Sequence, residues 1–159
     1  MSAIKSHEQW IESGGSIGSR LDFDRVIIPS VKMTGRRLAG SRMRRCRIEG
    51  GEWLGVDLSM SDLSYSDMRE IVLEGGMLRG TTLRRANLAG ASLVSAVLDA
   101  LPLTGGGREW PTNLEGASLV RADLSGASLE GVILRKADLT GCTVEGISVR
   151  NADFEGAKR

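Results

Sequence analysis

The residues able to do chemistry are few and scattered. The chain holds one histidine, His7, and two cysteines, Cys46 and Cys142. No HExxH spacing occurs, and no nucleophile is spaced to meet a base, so the chain reads as a non-enzymatic protein with no cofactor. Two cysteines and one histidine do not make a zinc set, and both cysteines read as buried thiols. The run Gly105-Gly106-Gly107 is not followed by GK(S/T) and opens no helix, so it is not a phosphate loop. What remains is contact chemistry. Arg108, Glu109 and Trp110 bring a guanidinium, a carboxylate and an indole into one short segment, a candidate protein-contact loop. Arg25, Arg44, Arg45, Arg84 and Arg85 form a candidate basic face. With no aromatics interleaved to stack bases, nucleic acid is disfavoured as its partner.

These residues are positioned by a repeat. An apolar residue recurs every fifth position: Leu78, Leu83, Leu88, Leu93 and Leu98, then Leu114, Leu119, Leu124, Leu129, Leu134 and Leu139. Extended backward through Trp53 and Met43 to Phe23, and forward through Val144 and Val149 to Phe154, the register stays apolar. A period of five fits neither the 3.6 of a helix nor the 2 of a strand, so about 25 short units must stack as a solenoid. Two positions before this centre the residue is small or medium and apolar, as in Ala86, Ala91, Ala117, Ala137, Cys46 and Cys142. Just before it stands Asp, Asn, Ser or Thr, whose side chains can bond nearby backbone at turns. Two positions after it, glycine is frequent.

Stretches such as Ala86-Asn87-Leu88, Ala122-Asp123-Leu124 and Ala137-Asp138-Leu139 resemble the A-(D/N)-L-x-x unit of the pentapeptide-repeat family. The resemblance covers residues 21–157. It implies an all-β fold, a right-handed quadrilateral parallel β-helix in which four units make one square coil. About six to seven coils would make a rod of roughly 30 Å. Residues twenty apart then become vertical neighbours, which stacks Lys32 with Glu52, Arg37 with Asp57, Arg42 with Asp62 and Arg47 with Asp67. Glu115, Arg135 and Glu155 form a further alternating column, and Glu130 stacks with Arg150. Arg25, Arg45 and Arg85 share one column, with Arg44 and Arg84 beside it.

The expected organisation is an N-terminal cap over residues 1–20 and one β-helix domain over 21–159, interrupted by a loop near 104–111. The cap carries a short helix from His7 to Glu12, with Trp10 and Ile11 covering the first coil and His7 as a cap residue. It is similar to the leader often preceding bacterial pentapeptide arrays. Leu101 and Leu103 are read as continuing the repeat before the loop. Trp110 either contacts a partner or folds back onto the solenoid. Gly51 is expected to relieve crowding by Trp53. The register turns Arg36 inward: either a bulge at Thr34-Gly35 rotates it out, or it caps backbone carbonyls. At the C-terminal coil no capping helix is visible, so its apolar surface is covered by the last few residues or buried in a homodimer.

With 41% hydrophobic and 26% charged residues and a net charge of +1, the composition suits a soluble folded domain without global bias toward membrane or nucleic acid. No apolar run approaches the ~20 residues of a membrane span, and residues 1–10 lack a secretory apolar core, so the expected location is cytoplasmic. The function read from these features is a protein-interaction scaffold of unknown partner. The alternative comes from the resemblance: some family members mimic duplex DNA, bind DNA gyrase or topoisomerase and protect against quinolones. Those are acidic rods with a C-terminal dimerisation helix, whereas this chain is near neutral and shows no such helix.

Overall fold

A computed structural model describes residues 2–105 and 107–159. Gly106, within the expected loop, lies outside the described residues. The chain opens with helix α1 (Ala3–Glu12), longer at its start than the sequence suggested. Ser2, in extended backbone, caps it by accepting the Lys5 N–H at 3.4 Å.

From residue 21 the backbone winds in coils. Strand β1 (Asp22–Asp24) pairs in parallel with β3 (Arg42–Arg44), and β2 (Ile27–Ile28) with β4 (Arg47–Ile48). Beyond them the rod continues as parallel bridges, from Arg37 with Asp57 to Met77 with Val97, each partner twenty residues on. Bridges begin every five residues, at Asp57, Asp62, Asp67 and Val72, so each coil has four faces. Between Thr82 and Asn113 the offset grows to 31, and from Asn113 to Ile133 it is twenty again. One coil is therefore eleven residues longer than its neighbours, yet the register above and below is unchanged.

The core is the column of centres. Leu38, Trp53, Leu58, Leu63, Leu78, Leu83, Leu93, Leu98 and Leu114 are completely buried. Each buried leucine contributes on the order of 1.5–3 kcal/mol of transfer free energy, but only once the next coil covers it. The small inward position completes the layer. Its alanines let the chain turn beside the large centre, and its polar members find backbone partners one coil below. Ser61, Ser66 and Thr81 donate to the carbonyls of Leu38, Met43 and Leu58 at 2.6–2.9 Å, and the Cys142 thiol donates to Leu119 at 2.9 Å. All four bonds span the same 23 residues, which explains why Ser and Thr can replace alanine here without leaving a buried polar group unpaired. Of the two cysteines expected to be buried, Cys46 is, and Cys142, near the end of the rod, is half-buried.

The position two after the centre turns each corner. It has positive φ in nearly every repeat, and the N–H one residue further on donates to the centre carbonyl, as Ala91 does to Leu88 at 3.0 Å. Positive φ at the third residue of a bonded four-residue turn is the type II pattern, which favours glycine. The residue before the centre supports the same corner. Asp57, Asp62, Asn87, Asn113, Asp123 and Asp138 each accept the N–H two residues on, at 2.9–3.1 Å.

Helix α1 lies across the first coil. The residue that plugs the end is His7, which is fully buried, whereas Trp10 and Ile11 are half-buried. The Leu21 N–H donates to His7 Nδ1 at 3.0 Å, which leaves the proton on Nε2, 3.1 Å from the Ala39 carbonyl. Trp10 stacks on the imidazole at 5.5 Å between centroids. Arg36 neither lies over a bulge nor caps carbonyls: its guanidinium pairs with Glu8 of the helix at 3.0 Å. Trp53 fills its centre with no exposed surface, and a Cβ at Gly51 (φ +118°) would sit 3.1 Å from its Nε1.

Candidate interaction surfaces

The longer coil carries an antiparallel strand pair, a β-hairpin. Strand β5 (Leu101–Pro102) pairs antiparallel with β6 (Glu109–Trp110), Leu101 facing Trp110, and Leu103 N–H donates to the Arg108 carbonyl at 2.9 Å. Leu101 and Leu103 thus leave the solenoid instead of continuing it. Leu98 and Leu114 are consecutive centres, one repeat step apart with the hairpin between them. A sixteen-residue gap has room for a further apolar repeat, and the two leucines imitate one.

The hairpin is anchored at both ends. Thr112, fully buried, accepts the Gly80 N–H at 2.9 Å and lies 2.9 Å from the Leu78 carbonyl and 3.2 Å from that of Asp99. Asp99 accepts the hydroxyl of Ser128 and the Glu130 N–H at 3.0 Å, one coil up. Trp110 lies over the Gly80 corner: a Cβ there would meet its Cδ1 at 3.1 Å, Met60 Sδ at 3.1 Å and Leu101 Cβ at 3.4 Å. The indole still leaves 49% of its surface exposed, with Met60 and Leu103 also exposed. Glu109 lies in the same strand, Arg108 just precedes it, and both are exposed. Both hairpin strands carry or adjoin a proline, Pro102 and Pro111, which removes donors from the edges. The hairpin therefore offers side chains, rather than a strand edge, to anything that meets it.

The basic face is placed as the twenty-residue register requires, but its charges are partly spent. Arg45 grips Asp24 with two bonds of 2.7–2.8 Å, and Arg84 pairs with Glu115 at 3.3 Å. Arg44 approaches Asp22 only at 4.0 Å, and its buried Nε has no partner among the described residues. Arg25 and Arg85 are exposed. Tyr65 stands between Arg45 and Arg85 in the same column, an aromatic that the sequence reading passed over.

Of the expected vertical ion pairs, Lys32–Glu52 forms at 2.7 Å, and Arg135 meets Glu155 at 3.7 Å and Asp153 more closely. The others stack by backbone but pair elsewhere. Arg37 turns to Glu12 of the helix, Arg42 to Asp22 at 3.3 Å, Arg47 to Glu49 at 3.2 Å, and Asp67 takes Arg69 at 2.7 Å. Glu130 accepts from Ser148 instead of meeting Arg150. Long exposed side chains choose among several carboxylates within reach, and the gain for any one is ~0–1 kcal/mol.

The last coil is open. A cavity of about 360 Å³ is lined by Leu129, Leu134, Val144, Ile147, Val149 and Phe154, with the Arg159 guanidinium 4.8 Å above the Phe154 ring. Val144 and Val149 are exposed. No group of three or more His, Cys, Asp or Glu among the described residues could hold a metal ion, and no helix among them is long and apolar enough to cross a membrane.

The repeat itself decides the family. Residues 66–100 and 112–146 match the pentapeptide-repeat model in eight copies, and the break between the two blocks falls on the hairpin. The chain belongs to the pentapeptide-repeat family. HetL, a pentapeptide-repeat protein involved in heterocyst differentiation regulation in the cyanobacterium Nostoc sp. strain PCC 7120, is 30% identical, with a TM-score of 0.60 over 87% of this chain. The match spans 66% of HetL, just under two thirds of its length. A trypsin-treated variant of QnrB1, a plasmid-mediated fluoroquinolone resistance protein, is 17% identical, with a TM-score of 0.72 over 87% of this chain and 74% of the other. The second likeness is one of fold. No curated protein matches this pentapeptide-repeat chain.

Proposed function

We propose that this pentapeptide-repeat protein is a non-enzymatic scaffold that binds another protein through the hairpin, with Trp110 as the anchor and Arg108 and Glu109 beside it. One observation carries the reading. A rigid rod interrupts its register once, and the interruption presents a half-exposed indole on a base fixed by Thr112 and Asp99. An aromatic held in place on a stiff support loses little conformational freedom on binding. The involvement of HetL in regulating differentiation is of the same general kind. The winding is taken as right-handed, as in the family, and the location as cytoplasmic. A second copy of the chain is proposed to cover Val144, Val149 and Phe154 of the last coil. Sedimentation of wild type against Val149→Asp tests that contact: a monomer in both removes it.

The gyrase-binding alternative requires a surface charged like duplex DNA. The net charge of +1, with cations paired along the same faces as the acids, supports the scaffold instead. Affinity capture from the cells of origin, with wild type and Trp110→Ala side by side, tests the main reading. The expected result is one partner that Trp110→Ala loses. Equal capture by both removes the hairpin from the reading, and inhibition of gyrase supercoiling by the purified protein would establish the alternative.

A further inference from the structure

The four corner edges of the rod are not alike. Nearly every corner places one residue per coil at positive φ, a conformation that disfavours any side chain. One edge uses glycine at 35, 55, 75, 126 and 146, with Ser95 the exception. The edge after the first face carries Arg25, Arg45, Tyr65, Arg85 and Lys136 in the same conformation, with glycine only at 116 and 156. These corners are direct neighbours, because each N–H donates to the coil above: Arg25 to Arg44, Arg45 to Ser64, Tyr65 to Arg84, Arg85 to Glu115, Gly116 to Arg135. Successive positions are ~4.8 Å apart, so four cations and one ring span roughly 24 Å in a line.

Their surroundings keep the cations available. Arg25, Arg85 and Lys136 are exposed and form no ion pair among the described residues. The two glycines of the edge lie where the cations below lean: a Cβ at Gly116 would sit 3.2 Å from Arg85 Cγ, and one at Gly156 3.5 Å from Lys136 Cγ. Side chains are thus tolerated where the backbone resists them, and the coil above leaves them room. Local stability alone would favour glycine throughout.

We propose that this edge is a docking ridge for an extended acidic protein segment, bound through Arg25, Arg85 and Lys136 with Tyr65 packed between the charges. Charge spacing along the ridge selects the partner. Asp24 and Glu115 are already held by Arg45 and Arg84, and the cations unpaired among the described residues, Arg25, Arg85 and Lys136, stand about 10–14 Å apart along the ridge, a spacing too sparse for a polynucleotide charged at every residue. A polypeptide places carboxylates only where cations stand, and about seven or eight extended residues cover the distance. The inference adds a second surface to the scaffold reading, and the two fail separately: Trp110→Ala leaves the ridge intact, and the ridge is probed with defined polymers.

The test measures binding of labelled poly-L-glutamate, with a dT20 oligonucleotide and phosphatidylserine vesicles as competing probes. The expected result is binding to poly-L-glutamate that weakens about tenfold in Arg25→Gly/Arg85→Gly and weakens with salt as the Debye length shrinks. Because these substitutions relieve positive φ, the thermal midpoint should hold or rise. Arg25→Gln/Arg85→Gln, which retains bulk, should lose the same binding. Absence of poly-L-glutamate binding, or binding indifferent to both variants, overturns the proposal. So does tighter binding to dT20 or to vesicles, which assigns the ridge to another class of partner. A lower thermal midpoint in the glycine variant overturns it as well, because the arginines would then be supporting the coil.

Discussion

His7→Ala tests how the rod is closed at its N-terminal end. The imidazole is completely buried, and its two nitrogens satisfy the Leu21 N–H and the Ala39 carbonyl. Alanine leaves both backbone groups buried and unpaired, at about 1–3 kcal/mol each, and removes the ring on which Trp10 stacks. Partial collapse of the helix returns some of that cost, so the expected loss is about 3 kcal/mol. In a repeat protein the loss should stay local. Hydrogen exchange should show residues 3–45 losing protection while coils beyond Leu58 keep theirs. The wild type adds a pH signature. Burial lowers the His7 pKa from its ordinary value, opposed by the Leu38 and Ala39 carbonyls and by Glu8 and reinforced by Arg20. The unfolded chain therefore binds the proton more readily. Stability is fully present above the ordinary histidine range and is lost as pH falls through ~6.5 toward the depressed folded value. The His7→Ala protein should lack that slope. A variant within about 1 kcal/mol of wild type, exchange spread evenly along the rod, or the same pH slope in both proteins would refute the argument.

Other outcomes follow from the corners and the core. Gly51→Ala forces a side chain into φ +118° with a Cβ 2.8 Å from the Val31 carbonyl, and should cost about 2–3 kcal/mol in denaturant unfolding. Glu70→Gly relieves a corner at φ 58° and should stabilise by about 0.5–1 kcal/mol after glycine's own entropy cost; a loss would mean the side chain supports the coil. Asp123 accepts from the Ser125 N–H and hydroxyl, and those bonds, the hydroxyl's first, lower its pKa. Asp123→Asn should keep neutral-pH stability, as Asn87 and Asn113 fill the same role, while Asp123→Ala reduces it. The carboxylate's share is present above the ordinary aspartate range and fades as pH falls below ~4, so wild type and the Asp123→Asn variant, alike near neutral pH, should diverge in acid, with the wild-type midpoint falling further.

The centres were legible because burial repeats every five residues regardless of side-chain detail, and nearly every one from Ile28 to Leu139 is buried. The Asp and Asn positions were legible because an Asx bond is local. The Arg partners were not. Register says which backbone positions stack, but a guanidinium reaches carboxylates on its own coil, the next coil or the cap, and Arg37 and Arg42 took those routes. The hairpin was obscured because sixteen is one more than three repeats, and Leu101 and Leu103 imitate centres. The step of five plus eleven could have been found by asking which offset keeps Asn113 in line with Thr82. His7 was placed in the cap, but its role as the plug was hidden by Trp10 and Ile11, whose greater hydrophobicity drew the assignment.

The lengthened coil also bears on how the rod assembles. Each coil docks by closing a loop onto the one before, and closure entropy grows only with the logarithm of length. Stretching that loop from 20 to 31 residues adds about 0.4 kcal/mol. Folding that zips coil by coil along the axis would slow about twofold at this step and then resume its pace. A corner that accepts eleven residues on such terms is a place where length can drift without the rod losing count.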